Sequence, residues 1–322
     1  MKLGSFAEIE IKDWQDLRGQ LDELIPAPMH SMNRFFSGRS LRPISAEHHR
    51  WVFRGQPHDW CLQPTLERLE DQGIDADFAE KDSLQTFKRK AGRYVHHVPP
   101  SEDNLAWLAL MQHYGAPTRL LDWTFSAYVA AYFACRELPE SYGVLYCLNL
   151  TVLEHARAKW IEEHRAKKPE LWDEVSPGAA LGSEPLFSRF ILPTDGATCQ
   201  LRGAVRDAGL VFPVEPSIES ERLASQQGLL MTSSERAGGF QGFLIRMSER
   251  SEGKLIMKLR IPAPSKVDFM RHLDAANIHA MSLFPDMDGL CRMIGETLLI
   301  SGTRIPSSSR PPKFKPLGRS EC

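Results

Sequence analysis

The chain has no uninterrupted apolar run of 18 or more residues, so no segment reads as a membrane-spanning helix. Its first residues, MKLGSFAEIEIKDW, alternate polar with apolar and lack the apolar core of a secretory signal. There is no CxxC pair. The six cysteines (Cys61, Cys135, Cys147, Cys199, Cys291, Cys322) are scattered, which argues against a zinc ribbon or disulfide scaffold and predicts a reducing, cytoplasmic setting. An excess of one charge is also missing: the formal net charge is -2, not the strongly basic balance of a chain built to grip nucleic acid non-specifically. GxxxxGK[ST], GxGxxG, HExxH and GxSxG do not occur, and no internal repeat is visible. Asp286, Asp288 and Gly289 resemble the start of a calcium loop, but the acid that would close it is absent, and a turn with a helix N-cap is expected there. His48-His49 and His96-His97 have no partners at metal spacing and read as solvent-facing, so no metal is expected.

What is present is a chain of 322 residues, 42% hydrophobic, long enough to bury a substantial core. FAEIEIKD (6–13) alternates as a half-buried strand, and Asp13 caps a short helix, WQDLRGQLDEL. Trp51 to Arg54 reads as a strand, LERLEDQG as a helix closing at Gly73, and 75–96 as a helix with a basic end. Asn104 to His113 predicts an apolar-striped helix ending at Gly115; a second begins near Ser126 and carries a small-residue face of Ala127, Ala130, Ala131 and Ala134, suited to lying close on a sheet. YGVLYCLNL (142–150) is a buried strand, with Cys147 and the nearby Cys135 as core residues. Residues 151–185 are helical and charged, RFILP (189–193), GLVFPVE (209–215) and Leu255 to Ile261 are strands, and Val267 to Ala276 and the stretch after Pro285 are helices. Helices and strands are mixed without a steady βαβα rhythm, so the fold class expected is α+β, a single mixed domain. The division expected is an N-terminal strand-helix and loop at 1–44, the main domain at 45–305, and a disordered basic, Pro/Ser-rich tail at 306–322.

Three segments carry chemistry. In Phe53-Arg54-Gly55-Gln56, a strand runs into an arginine whose planar fork suits phosphate or carboxylate, beside a glycine that allows close approach to the backbone. The alternative is an arginine paired with a structural acid. From Gln112 to Thr124, the residues Gln112, His113, Tyr114, Arg119, Asp122, Trp123 and Thr124 crowd a junction between apolar helices, as a site or as an elaborate cap. His113 by itself reads equally as a hydrogen-bonded structural histidine. In Arg222-Leu223-Ala224-Ser225-Gln226-Gln227-Gly228, two glutamines precede a glycine, at a ligand-facing strand end or an ordinary turn. The basic stretch Lys88-Arg89-Lys90 with Arg93 admits a nucleic-acid-directed enzyme, with an exposed basic helix end as the simpler reading.

Together FRGQ (53–56), MQHYGAPTRLLDWTFSAYVAAYFA (111–134), RLASQQG (222–228) and SLFPDMDGL (282–290) resemble the FRG domain family, over about residues 45–295. Such domains are similar to bacterial accessory, toxin-like or phage-defence proteins, which implies a possible antitoxin or regulatory partner. A more distant similarity is to arginine-class ADP-ribosyltransferases, which carry an aromatic-Arg-Gly at an early strand end, a Ser-Thr-Ser strand leading into a small-faced helix, and a later glutamate. The corresponding positions are Phe53-Arg54-Gly55, Leu121 to Thr124 followed by Ala130 to Ala134, and Ser225 to Gly228. Asp-Trp-Thr replaces Ser-Thr-Ser, and a glutamine stands in place of the glutamate, so the negative charge must come from Asp122 or a glutamate such as Glu221. The resemblance implies a split β-sheet core, NAD as substrate and a protein or nucleic-acid acceptor. It implies catalytic roles for Arg54, Asp122 and Gln227, and NAD contacts from Arg54, Gly55, Gln56, His113, Tyr114, Arg119, Trp123 and Thr124. A non-catalytic nucleotide-sensing or interaction module is the alternative.

Overall fold

The computed structural model describes residues 6–25, 50–95, 97–137, 141–167, 210–218, 220–233, 239–251 and 254–301. The expected strand at 189–193, the end of the helix expected over 151–185 and the tail at 306–322 lie outside these. The class is α+β, as expected. Seven strands, β1 (Ala7–Glu10), β2 (Trp51–Gln56), β3 (Leu121–Thr124), β4 (Gly143–Asn149), β5 (Val211–Val214), β6 (Gly228–Ser233) and β7 (Ile256–Ile261), form one mixed sheet. Their order is β1-β7-β4-β2-β3-β6-β5, with β1 parallel to β7 and every other neighbour antiparallel. The first strand is therefore an edge of the main sheet, not a separate appendage.

Both faces of this sheet are covered, and period-two alternation assigns each side chain to one of two cores. Along β4, Val144, Tyr146 and Leu148 join the core that holds Val52, Trp107, Trp123 and Phe240. Leu145 and Cys147 join the other, with Phe53, Ala130, Ala134 and Phe269. Every residue of β4 is buried, which is why its sequence reads as a continuous apolar run and not an alternation. The first core is closed by α3 (Ala76–Ala91), α4 (Asn104–His113), α6 (Leu150–Lys167) and α8 (Gly239–Arg250); the second by α1 (Trp14–Leu24), α5 (Ala127–Cys135), α9 (Lys266–Ala275) and α10 (Ala280–Leu283). The remaining described helices are α2 (Thr65–Glu70), α7 (Glu221–Ser225) and α11 (Met287–Ile300). No described helix is long and apolar enough to cross a membrane.

The caps follow the sequence. Asp13, Ser126 and Asp286 accept hydrogen bonds from the backbone N–H groups of Asp16, Val129 and Gly289, and Gly115 takes φ +81° where α4 ends. Asp286 is thus the expected helix cap. The small face of α5 lies on β2 and β4 so closely that a Cβ at Gly55 would stand 1.8 Å from the Ala130 carbonyl oxygen, and one at Gly143 would stand 2.3 Å from that of Ala134.

One joint in the sheet is weak. β2 pairs with β4 over six residues, from Trp51 to Gln56, but with β3 through a single pair, Phe53 with Thr124. The core is a single seven-stranded sheet whose β2–β3 joint is one bridge wide. The element that sequence reading missed is the run from α7 through β6 to α8, where a fully buried strand follows a one-turn helix with no alternation to announce it.

Candidate functional site

Beyond the Phe53–Thr124 bridge, the free edges of β2 and β3 open a hollow of about 210 Å³. Four guanidiniums line it, from Arg54, Arg68, Arg136 and Arg222, against two carboxylates, Asp122 and Glu137. A second hollow of about 150 Å³ shares Asp122, Arg222 and Gln226 with the first and is otherwise largely apolar, walled by Pro99, Ala106, Leu110 and Leu223.

Arg54 is the first β2 residue past the bridge. Its Nη1 donates to the Asp122 carbonyl oxygen at 2.6 Å, and its Nε is buried without a partner. Among the described residues it makes no ion pair within 4 Å, although the nearby Asp122 charge acts on it. Burial pushes its pKa down, Asp122 pulls it back up, and Arg68 and Arg136 push down again; an arginine stays protonated throughout. Arg136, at the end of α5, also has a buried, unpartnered Nε, and its guanidinium sits 5.0 Å from the Phe133 ring centre. Arg222 stacks over Phe284 at 4.6 Å and donates to the His113 carbonyl oxygen at 3.4 Å. Burial lowers its pKa, Asp122 and Asp286 raise it, and Arg136 and Arg292 lower it. Arg54 and Arg222 are thus partly desolvated cations, while Arg136 lies 3.7 Å from a Glu137 carboxylate oxygen.

The crowded segment between α4 and β3 proves to be one hydrogen-bonded unit. Gln112 Nε2 donates to Asp122 Oδ1 at 2.8 Å, while Gln112 Oε1 accepts from the Thr118 hydroxyl. Asp122 itself is exposed, its carboxylate standing at the wall between the hollows. Thr124 Oγ1 donates to the Gln226 carbonyl oxygen at 2.7 Å and accepts from Ser126 N–H, and Phe125 N–H donates to the Gln227 carbonyl oxygen at 2.9 Å. The 222–228 segment is thereby tied to the end of β3.

Of the expected site residues, Arg54, Gly55, Gln56, Asp122, Trp123 and Thr124 line the arginine hollow, and His113 lines the apolar one. Their roles differ from the expectation in several cases. Glycine is required at 55 by the close approach of α5. Gln56 is buried, its Nε2 donating to the Trp60 carbonyl oxygen at 2.9 Å to hold the turn after β2. Trp123 is core, stacked at 6.4 Å on Phe240. Arg119 is elsewhere: its guanidinium makes a two-point pair with the buried Glu80, Nε to Oε1 at 2.7 Å and Nη2 to Oε2, and joins neither hollow. Tyr114 is 59% exposed and also lines neither. The amide in both hollows is that of Gln226, not Gln227. Gln227 takes φ +48° where α7 turns into β6.

His113 is not the hydrogen-bonded structural histidine that was one reading of the sequence. Its Nδ1 is buried without a partner, and neither ring nitrogen makes a hydrogen bond among the described residues. Arg68 and Arg136 were missed. Arg68 sits in an ordinary charged helix, and the only mark on Arg136 is its place directly after the small-faced helix. Lys88, from the expected basic helix end, donates to the Ser101 carbonyl oxygen and Asn104 Oδ1, tying α3 to the start of α4.

The family model of the FRG domain matches residues 49–142, which span β2 through α5 and hold the first two resembling blocks but not 222–228 or 282–290. No curated protein and no solved structure matches the chain.

Proposed function

We propose that the arginine-lined hollow binds the pyrophosphate of NAD, and that the chain is an ADP-ribosyltransferase-like enzyme acting on a protein or nucleic-acid acceptor. One observation carries this reading: four guanidiniums from four separate elements converge on a hollow that shares its wall with an exposed carboxylate and an amide. Guanidinium forks match the paired oxygens of phosphates, and an excess of two positive charges complements a pyrophosphate. Trp60, 48% exposed at the rim, offers a ring face for a nucleotide base. Loss of nicotinamide leaves an oxocarbenium at the ribose, and the Asp122 carboxylate supplies the stabilising charge. Gln226 Nε2 is committed to the Leu283 carbonyl oxygen at 3.1 Å, which leaves Oε1 to accept a ribose hydroxyl. Gln226, next to the Gln227 to which the resemblance gives the catalytic role, then serves orientation, and Asp122 serves charge. The resemblance extends the proposal to a bacterial toxin or phage-defence role.

Calorimetry with NAD and ADP-ribose, alongside a nicotinamide-release assay, tests this. Arg54→Lys should weaken binding at least tenfold, since a charge-assisted hydrogen-bonding group is worth about 1.5–3 kcal/mol. Asp122→Asn should keep binding and lose roughly 100- to 1,000-fold in turnover, the usual scale for one electrostatic stabiliser. Toxicity on expression in cells, if it occurs, should vanish with Arg54→Ala. No binding of either nucleotide and no nicotinamide released would reject the proposal; tight binding with no release would instead establish a nucleotide-sensing module.

A further inference from the structure

We infer that the apolar hollow beside the arginine cleft is the acceptor subsite, and that His113 Nε2 is the general base that takes the acceptor's proton. The inference rests on the NAD reading above and adds what that reading leaves open: where the nucleophile sits and what activates it.

The hollow has the character of an acceptor pocket and not a second anion site. Its walls are Pro99, Ala106, Leu110, Leu223 and Leu230, and it meets the arginine cleft at Asp122, Arg222 and Gln226, where the ribose would lie. A nucleophile entering here reaches the ribose carbon across Asp122, from the side away from the pyrophosphate. His113 closes α4 and lines the same hollow. Nδ1 is walled in without a partner, so the open ring nitrogen is Nε2, and no described side chain engages it.

A base must be neutral to act, and the charged groups around the ring favour that state. Burial pushes the pKa of His113 below its usual 6.5; Arg222 on α7 adds to this, and Asp286 at the start of α11 opposes it. His97 and Asp122 face the same hollow, and the Tyr114 ring stands edge-on at 4.8 Å. The position at a helix C-terminus would by itself favour the imidazolium. Burial prevails.

The step balances. The bond between the ribose carbon and nicotinamide breaks, and its electron pair leaves with neutral nicotinamide. The acceptor's O–H or N–H lone pair bonds to that carbon, its proton passes to His113 Nε2, and the imidazolium returns it to solvent. Water in the hollow gives hydrolysis by the same route.

The test compares wild type with His113→Gln, which retains polarity without basicity, and His113→Phe, using NAD alone and water as acceptor. Both variants should bind NAD within about twofold of wild type by calorimetry. Nicotinamide release should fall roughly 100- to 10,000-fold, the range for a positioned general base. The wild-type rate should rise with pH through a group below 6.5 and then level, and this limb should be absent in His113→Gln. Unchanged turnover or an unchanged pH profile overturns the base assignment alone. A loss of NAD affinity matching that of Arg54→Lys overturns the acceptor subsite, because His113 would then hold the donor. Wild-type binding without release removes the step, and absence of NAD binding removes both readings, a result distinct from the first two.

Discussion

Glu67 and Arg68 are neighbours on α2 with opposite fates: Arg68 reaches the cleft, while Glu67 is buried, accepting from the Ser233 hydroxyl at 3.1 Å and from Phe240 N–H at 3.5 Å. Burial drives the Glu67 pKa up from 4.5 to about 7; the two hydrogen bonds and Arg119 oppose the rise, and Glu70 assists it. Because the folded-state value lies above the unfolded one, the stability linked to this carboxyl is fully present below pH 4.5. It is lost as pH rises to about 7, where the unfolded chain ionises first, and the loss amounts to roughly 3 kcal/mol. Glu67→Gln should therefore flatten the decline, gaining stability over wild type at pH 8 and not at pH 4. Urea unfolding at the two pH values measures this, and an equal difference at both would refute a buried, titrating Glu67. The arginines also mark the limit of reading single residues: an arginine at 54 after a strand could be named from the sequence as a candidate anion ligand, whereas Arg68 and Arg136 become candidates only because α2 and α5 bring them to the same hollow.

At the scale of elements, what the sequence exposed were pieces that announce their own ends. Asp13, Ser126 and Asp286 mark helix starts, Gly73 and Gly115 mark stops at positive φ, and the alternation in β1 belongs to an edge strand of the sheet. The pair Gln226-Gln227 resisted, because choosing between two adjacent glutamines needs the backbone conformation of the turn. Gln226 lines both hollows and Gln227 lines neither, and a paired substitution checks the choice. Gln226→Ala should weaken NAD binding severalfold, with loss of the tie to the Leu283 carbonyl oxygen. Gln227→Gly should leave affinity unchanged and hold or raise stability, since relieving a left-handed non-glycine residue is worth about 1 kcal/mol. Equal losses of affinity from the two variants would restore Gln227 to the site. Arg119 was misplaced for a related reason: its partner, Glu80, lies 39 positions earlier on another helix, and no spacing rule connects them.

Across the whole molecule the sheet is unevenly joined. One half, β1-β7-β4-β2, is held by continuous ladders; the other, β3-β6-β5, has ladders of its own; a single bridge links them. Side chains carry much of the remaining connection there: Arg54 to the Asp122 carbonyl oxygen, and α5 seated on Gly55 at one side. A ligand anchored by Arg54 on the first half and by Arg222 on the second would act as a further tie across that seam. A ligand that binds only the closed arrangement at about 100 times its Kd stabilises it by about 2.7 kcal/mol, equivalent to a slowing of exchange near 100-fold for amides released by opening. Saturating NAD should thus slow hydrogen exchange at the β3 amides, 121–124, by up to that factor. The β1 amides, tied only to β7 at the far edge, should change little. Exchange measured by mass spectrometry with and without NAD distinguishes the cases. Protection spread evenly over both edges would mean that the ligand stabilises the fold globally and that the single bridge is not where the molecule opens.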